Sequence, residues 1–298
     1  MAPDRASAPS APFARLAGLD RERVETRLDG LVERNRFAIA VVFPVTGAAL
    51  LLASARGWLP DPLAFNPFLV LVGVCVMRLP LVAGLAPLLD RRAALGVALV
   101  TAYAYAVEYV GVTTGEPYGP FEYGVSLGPM VEGVPVGLPV FFLPLVLNSY
   151  LLCLLLLGDR ARLWFVRIPV VVATVVGIDL VLDPGAVALG FWRYFEGVAF
   201  YGVPWSNYRG WVLSAAVAVV VFDCAFDREA LFARLETCPF MLDDMVSFVL
   251  LWGAVNAAFG NWVPVGLAAL LGAGLVATDR FSVPTRPRWA RSNTAVTV

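Results

Sequence analysis

Carboxyl groups set in strongly apolar surroundings are where this sequence could do chemistry. Glu108 lies near the end of the apolar run 93–112, and Asp179 and Asp183 lie in and just after the run 166–182. Thr101, Tyr105 and Glu108 fall at i, i+4 and i+7, on one helical face. Asp179 and Asp183 are four apart and share another face. An ionisable group in a membrane-grade span is costly and turns toward a cavity or a partner. Such groups can hold and pass protons. The opposing reading is structural, with Glu108 or Asp179 pairing with Arg78, and Asp183, followed by Pro184, marking a helix end. Arg78, inside an apolar run itself, reads as the partner of a nearby carboxylate that holds two helices together.

Glu108 also opens an unusual stretch, 108–135, EYVGVTTGEPYGPFEYGVSLGPMVEGVP. It carries Glu116 and Glu132, the rings of Tyr109, Tyr118, Phe121 and Tyr123, and no Lys or Arg. Its glycines and prolines rule out a plain helix. A connecting loop needs only polarity, whereas this one has groups for protons and groups for an apolar ligand. The proton-handling candidates are therefore Glu108, Asp179, Glu116 and Asp183. The candidates around an apolar ligand are Tyr105, Tyr118, Phe121, Tyr123, Asn148, Trp192, Tyr194 and Asn207. Trp192, Tyr194, Tyr201, Trp205, Tyr208 and Trp211 also suit an interfacial aromatic belt, which would account for most of them. Glu132 and Glu196 serve as comparison carboxylates with weaker expected effects.

Composition excludes several chemistries. The chain has no His, which removes His-ligated metal or haem and a His acid or base. All 22 basic residues are Arg, which removes a Lys Schiff base and a P-loop lysine. The four cysteines have no zinc-like or disulfide spacing. A net charge of −1 argues against a nucleic-acid partner. Gly272-Ala-Gly274-Leu-Val-Ala277 matches a dinucleotide fingerprint, but it sits in an apolar span with no preceding strand and reads as helix packing.

The elements that position these residues are membrane helices. Hydrophobic residues make up 59% of the chain and mean hydropathy is +0.77, too apolar for a soluble domain of this size. Eight spans are expected, at about 37–55, 67–88, 93–112, 137–157, 166–182, 211–226, 245–259 and 262–277. The last two form a tight hairpin over Gly260-Asn261. The fold class is all-α, a polytopic transmembrane helix bundle with two long outer loops. It comprises a cytoplasmic tail 1–36, a catalytic bundle 37–277 and a cytoplasmic tail 278–298. Within the first tail, Leu19, Val24, Leu28, Leu31 and Val32 could form one face of a short interfacial helix. A partly disordered tail is the other reading. Arg clusters before the first span and after the second, fourth, sixth and eighth put both termini in the cytoplasm of a multi-pass cell-membrane protein. Loops 113–136 and 183–210 then lie outside. They echo each other, FEYGVSLGPMVEGVP at 121–135 against FWRYFEGVAFYGVP at 191–204, as two related halves around one site would.

On these residues the chain resembles the membrane carotenoid hydratase family, in its archaeal branch. The carrying stretches are Glu108–Gly111, Glu116-Pro-Tyr-Gly-Pro-Phe-Glu-Tyr123, Leu127-Gly128 and Gly133-Val-Pro135. The second half adds Asp179-Leu-Val-Leu-Asp183-Pro184, Phe191-Trp192, Tyr201-Gly-Val-Pro204, Asn207 and Gly210-Trp211. The resemblance covers the central half of the chain. It implies addition of water to the terminal double bonds of a C50 carotenoid, bisanhydrobacterioruberin to bacterioruberin, with no cofactor and no metal. Its implied partners are the carotenoid, the lipid bilayer and other membrane enzymes of the carotenoid pathway, with no nucleic acid. Hydration needs a proton delivered to one alkene carbon and water captured by the tertiary cation. A carboxyl taken out of water keeps its proton and can serve as the acid. Glu108 or Asp179 would be that acid and Glu116 or Asp183 the water-orienting base. Tyr123, Trp192 and Tyr194 would face the cation. Two other classes compete: a Mg-dependent membrane prenyltransferase using Asp179-x-x-x-Asp183, and a transporter or lipophile-binding protein using Glu108 and Asp179 as a proton relay.

Overall fold

The computed structural model describes residues 11–195 and 198–280, without the side chains of residues 11–19 and 198. Helix α1 (Ala11–Phe37) runs through a π turn (Ala38–Val42) into α2 (Phe43–Ala55). There follow α3 (Pro67–Leu85), α4 (Arg91–Thr114), α5 (Leu138–Leu157), α6 (Trp164–Leu189), α7 (Trp205–Ala225), the short α8 (Arg228–Thr237), α9 (Asp243–Phe259) and α10 (Trp262–Ala277). Among the described residues, six helical segments are long and apolar enough to cross a membrane, and α9 and α10 are shorter apolar helices, so the eight expected apolar runs are all helical. The chain is an all-α polytopic membrane bundle.

The helix ends follow local chemistry. Asn66 accepts from the Phe68 and Leu69 amides (3.0 and 3.1 Å) ahead of Pro67, which starts α3. Asp90 accepts from the Ala93 amide (2.7 Å) at the start of α4. Gly115, Gly190 and Gly260 close α4, α6 and α9 in the left-handed conformation. Two expectations need correction. Residues up to 36 form no separate interfacial helix in their described part. α1 is continuous with the first span because Val32 is buried in the main core and Leu28 packs against it. Glu196 and the C-terminal residues beyond 280 lie outside the described residues. Asp183-Pro184 does not end a helix either, as α6 continues to Leu189 with Asp183 buried inside it.

Helix α5 is the central post, packed against α3, α4, α6, α7, α9 and α10. Buried ion pairs tie the remaining helices together. Arg36 grips Asp243 with two bonds of 2.7 Å. Arg167 grips Asp223 at 2.6 and 2.7 Å, where Tyr150 also donates (2.6 Å). Arg78 pairs with a carboxylate as expected, but the partner is Asp244, on α9. Gly272 and Gly274 take part in helix packing, with Val249 and Leu156 each 3.5 Å from an added Cβ.

Short strands join the two long loops at one end of the bundle. β1 (Phe121–Tyr123) pairs antiparallel with β4 (Trp192–Tyr194), Phe121 opposite Tyr194 and Tyr123 opposite Trp192. β2 (Met130–Val131) and β3 (Val134–Pro135) form a hairpin over Glu132-Gly133, and β5 (Val198–Phe200) and β6 (Val203–Pro204) form another over Tyr201-Gly202. All four turn residues have positive φ, between 48° and 88°, which is the backbone of a two-residue type I′ turn. Each hairpin leads by Val-Pro into the next helix. The echo between the loops is therefore a repeat of structure: helix, strand, hairpin, helix. Because β1 and β4 pair about the Glu122–Arg193 position, the ribbon has a local two-fold running through that pair.

Candidate active site

Beneath the β1–β4 ribbon is a cavity of about 130 Å³, lined by 18 residues contributed by both halves. Glu108 and Asp183 enter it from α4 and α6. They are equivalents in the repeat, since Glu108 stands seven residues before Gly115 and Asp183 seven before Gly190. Each is met by a phenol from the ribbon. Tyr123 donates to Glu108 Oε1, and Tyr194 donates to Asp183 Oδ2 (3.3 Å). Under the local two-fold Tyr123 and Tyr194 also exchange, so the site holds two copies of one carboxyl–phenol pair. Asn207 on α7 donates to Asp183 Oδ2 (2.5 Å) and to Asp179 Oδ2 (3.1 Å).

Aromatic rings make up most of the wall. Phe121 sits edge-on to Tyr123 (centroids 5.6 Å apart) and beside Tyr194 (5.9 Å), and Tyr123 is edge-on to Trp192 (6.5 Å). Phe142 and Trp211 stack at 5.3 Å and 18°. They are again equivalents, each seven residues after the proline that ends its hairpin, Pro135 and Pro204. Tyr118 lies between α4 and α7 and bonds Ser214 through its hydroxyl (2.7 Å). Glycine is required at 210, because an added Cβ would lie 2.5 Å from the Tyr118 ring. Burial pushes the phenols of Tyr123 and Tyr194 well above their usual range. The neighbouring carboxyls, Glu108 at Tyr123 and Asp183 at Tyr194, push in the same direction. Both therefore stay protonated and act as donors.

The structure brings together Glu108, Asp183, Tyr118, Phe121, Tyr123, Trp192, Tyr194 and Asn207 on the cavity wall, with Asp179 buried behind Asn207. Three expected residues are elsewhere. Glu116 is exposed to solvent, because the left-handed Gly115 turns the chain outward before it. Tyr105 donates to the Val136 carbonyl (2.5 Å) and borders a separate depression with Tyr109 and Glu132. Asn148 donates to Asp244 (2.6 Å) in the Arg78 network, one turn beyond Leu145 on the cavity wall. The aromatic-belt reading also fails for Tyr194 and Tyr208, which are buried, and for Trp211, which lines the cavity. Sequence reasoning gave Trp211 to the aromatic belt and did not single out Phe142, so neither was assigned to the site. Their common offset from the Val-Pro pairs was the available signal.

A cavity of this size accepts an end of a long apolar molecule rather than the whole of it. The site offers two carboxyls, groups able to hold a proton, in an aromatic chamber, and ring faces can stabilise a cation. Its described lining contains no Arg, so nothing there would neutralise a diphosphate.

No solved structure matches the chain. A bisanhydrobacterioruberin hydratase of Haloarcula japonica is 66% identical over 256 residues, covering 86% of this chain and 87% of that protein. The model of a family described as "carotenoid biosynthesis protein" matches residues 65–275, which include every residue of the cavity wall. The chain belongs to this carotenoid biosynthesis protein family.

Proposed function

We propose that this protein is a carotenoid hydratase that adds water to the terminal double bonds of a C50 carotenoid, converting bisanhydrobacterioruberin to bacterioruberin. The observation that carries the reading is the pair of carboxyl–phenol units facing one aromatic chamber. The alkene end enters the chamber, one carboxylic acid gives its proton to the less substituted carbon, and the neighbouring carbon becomes a tertiary cation. Phe121, Tyr123, Trp192 and Tyr194 present ring faces and edges around it. Water then forms the C–O bond and loses its extra proton to a carboxylate. No electrons change hands, so acid–base groups suffice for the chemistry. The site opens on the outer side of the cell membrane and both termini are cytoplasmic, as the Arg distribution argues. The tails 1–36 and 278–298 then flank the catalytic bundle 37–277. Substrate and product are confined to the bilayer, which favours association with the membrane enzymes before and after it in the pathway.

Expression in a host that makes the unhydrated carotenoid, followed by mass analysis, tests the reading. Gain of one water per hydrated end is expected. An unchanged carotenoid with folded protein in the membrane overturns it.

A further inference from the structure

The two halves of the site are near-copies, and their differences divide the work between them. Two exchanges separate the poles. Asp179 stands eleven residues before Gly190, and the residue eleven before Gly115 is Ala104. Asn207 stands three residues after Pro204, and the residue three after Pro135 is Leu138. Ala104 is buried and Leu138 lines the cavity. The Glu108 pole is thus one carboxyl with one phenol donor against apolar neighbours. The Asp183 pole is a carboxyl whose Oδ2 takes both the Tyr194 hydroxyl and the Asn207 amide, with Asp179 gripping that amide from behind.

Resting on the hydratase reading, we infer that Glu108 protonates the alkene, that Asp183 and Asn207 hold and deprotonate the attacking water, and that Asp179 is a positioning residue for Asn207. A held water makes about two to four hydrogen bonds, and the second pole offers three polar groups, Asp183, Asn207 and Tyr194, where the first has only Glu108 and Tyr123. Asp179 Oδ1 and Tyr208 Oη, both on that side, are buried with no hydrogen-bond partner among the described residues, as befits a region built for water. A proton donor to a hydrocarbon needs the opposite: one O–H, and apolar walls that keep water from competing for it.

The step balances. The alkene π pair takes the Glu108 proton and becomes a C–H bond. A water lone pair forms the C–O bond, and the released proton goes to Asp183. One water is consumed, and the proton returns from Asp183 to Glu108 through further water before the next turnover.

Deuterated water separates the roles. A cation that is formed but not captured loses a proton from a neighbouring carbon and reverts to an alkene carrying deuterium. Full-length protein in detergent is incubated with the unhydrated carotenoid in D₂O, and product and recovered alkene are both analysed by mass. Asp183→Asn and Asn207→Leu should lower hydrated product about 100-fold while recovered alkene gains deuterium. Glu108→Gln should abolish both signals, and Tyr123→Phe should weaken both together. Asp179→Ala should behave as a milder Asn207→Leu and be rescued by Asp179→Asn, which keeps an oxygen for the amide. A merely structural role would lower both signals alike. Deuterated alkene from Glu108→Gln but none from Asp183→Asn reverses the assignment. Loss of both signals in step across all variants, with wild type active, overturns the division alone. A wild type that adds no water overturns the hydratase reading and this inference with it.

Discussion

Gly210→Ala offers a test of packing at the cavity with a magnitude that can be worked out. The new methyl carbon would lie 2.5 Å from Tyr118 Cδ1, 2.9 Å from Cε1 and 3.0 Å from the Pro117 carbonyl oxygen. Carbon atoms settle at about 3.5–4.0 Å, so the ring must retreat by about 1 Å. It has nowhere to go. Its other edge lies against Gly111, whose added Cβ would be 3.1 Å from Cδ2, and its hydroxyl is tied to Ser214 at 2.7 Å. Overpacking of this kind costs about 1–3 kcal/mol, offset by up to about 1 kcal/mol from the better helix propensity of alanine. The balance is a net loss of up to about 3 kcal/mol, and its middle, about 1–2 kcal/mol, corresponds to a fall of about 2–8 °C in Tm. The control is Gly177→Ala on α6, where nothing lies within 4 Å of the added methyl and Tm should hold or rise. Thermal denaturation in detergent measures both. In a Tyr118→Ala background the Gly210→Ala penalty should vanish, giving coupling of about 1 kcal/mol or more. Equal effects of the two glycine substitutions, or strict additivity with Tyr118→Ala, would refute the argument.

Arg167→Leu should destabilise by about 1.5–3 kcal/mol, because Asp223 loses its bidentate partner while keeping the Tyr150 hydroxyl and the nearby Arg228, and detergent melting curves would register it. Treatment with EDTA should leave turnover unchanged, and a loss restored by Mg²⁺ would instead favour prenyl transfer. Tyr123 and Tyr194 should stay protonated past pH 10, so the ultraviolet absorbance of tyrosinate at these positions should appear only as the protein unfolds. A phenol raised in the folded state stabilises below its unfolded value, near 10, and that contribution fades as pH rises through the folded value. A cysteine replacing the exposed Met130 should react with an impermeant reagent added to whole cells, and reaction only after permeabilisation would invert the proposed orientation.

The helices were legible because a span must be long and apolar, and composition alone shows where such runs lie. Helix α8 was not, since Arg228–Thr237 is polar and its helicity depends on the Asp227 cap and on burying Leu231 and Leu235. The pocket residues on the two loops were readable as aromatics next to carboxylates. Their partners were not, because Tyr123 meets Trp192 across a ribbon whose strands are far apart in sequence. Glu116 and Asn148 show the converse limit. Each is polar and close in sequence to cavity residues. However, one is turned out by a left-handed glycine, and the other is claimed by Asp244, a carboxylate from a distant helix.

The β1–β4 ribbon reads as an alternating code. Phe121, Tyr123, Trp192 and Tyr194 face the cavity, and between them Glu122 and Arg193 pair on the exposed side. A side-chain period of two means that slipping either strand by one residue turns it inside out. A slip of β1 would bring Glu122 into the chamber and send Tyr123 outward, leaving Glu108 without its donor, and a slip of β4 would bring in Arg193 and send Tyr194 outward, leaving Asp183 with Asn207 alone. The glycines that end α4 and α6 and the two tight hairpins beyond the strands therefore set more than chain direction. They fix parity, and parity decides whether the roof over the cavity is greasy or charged.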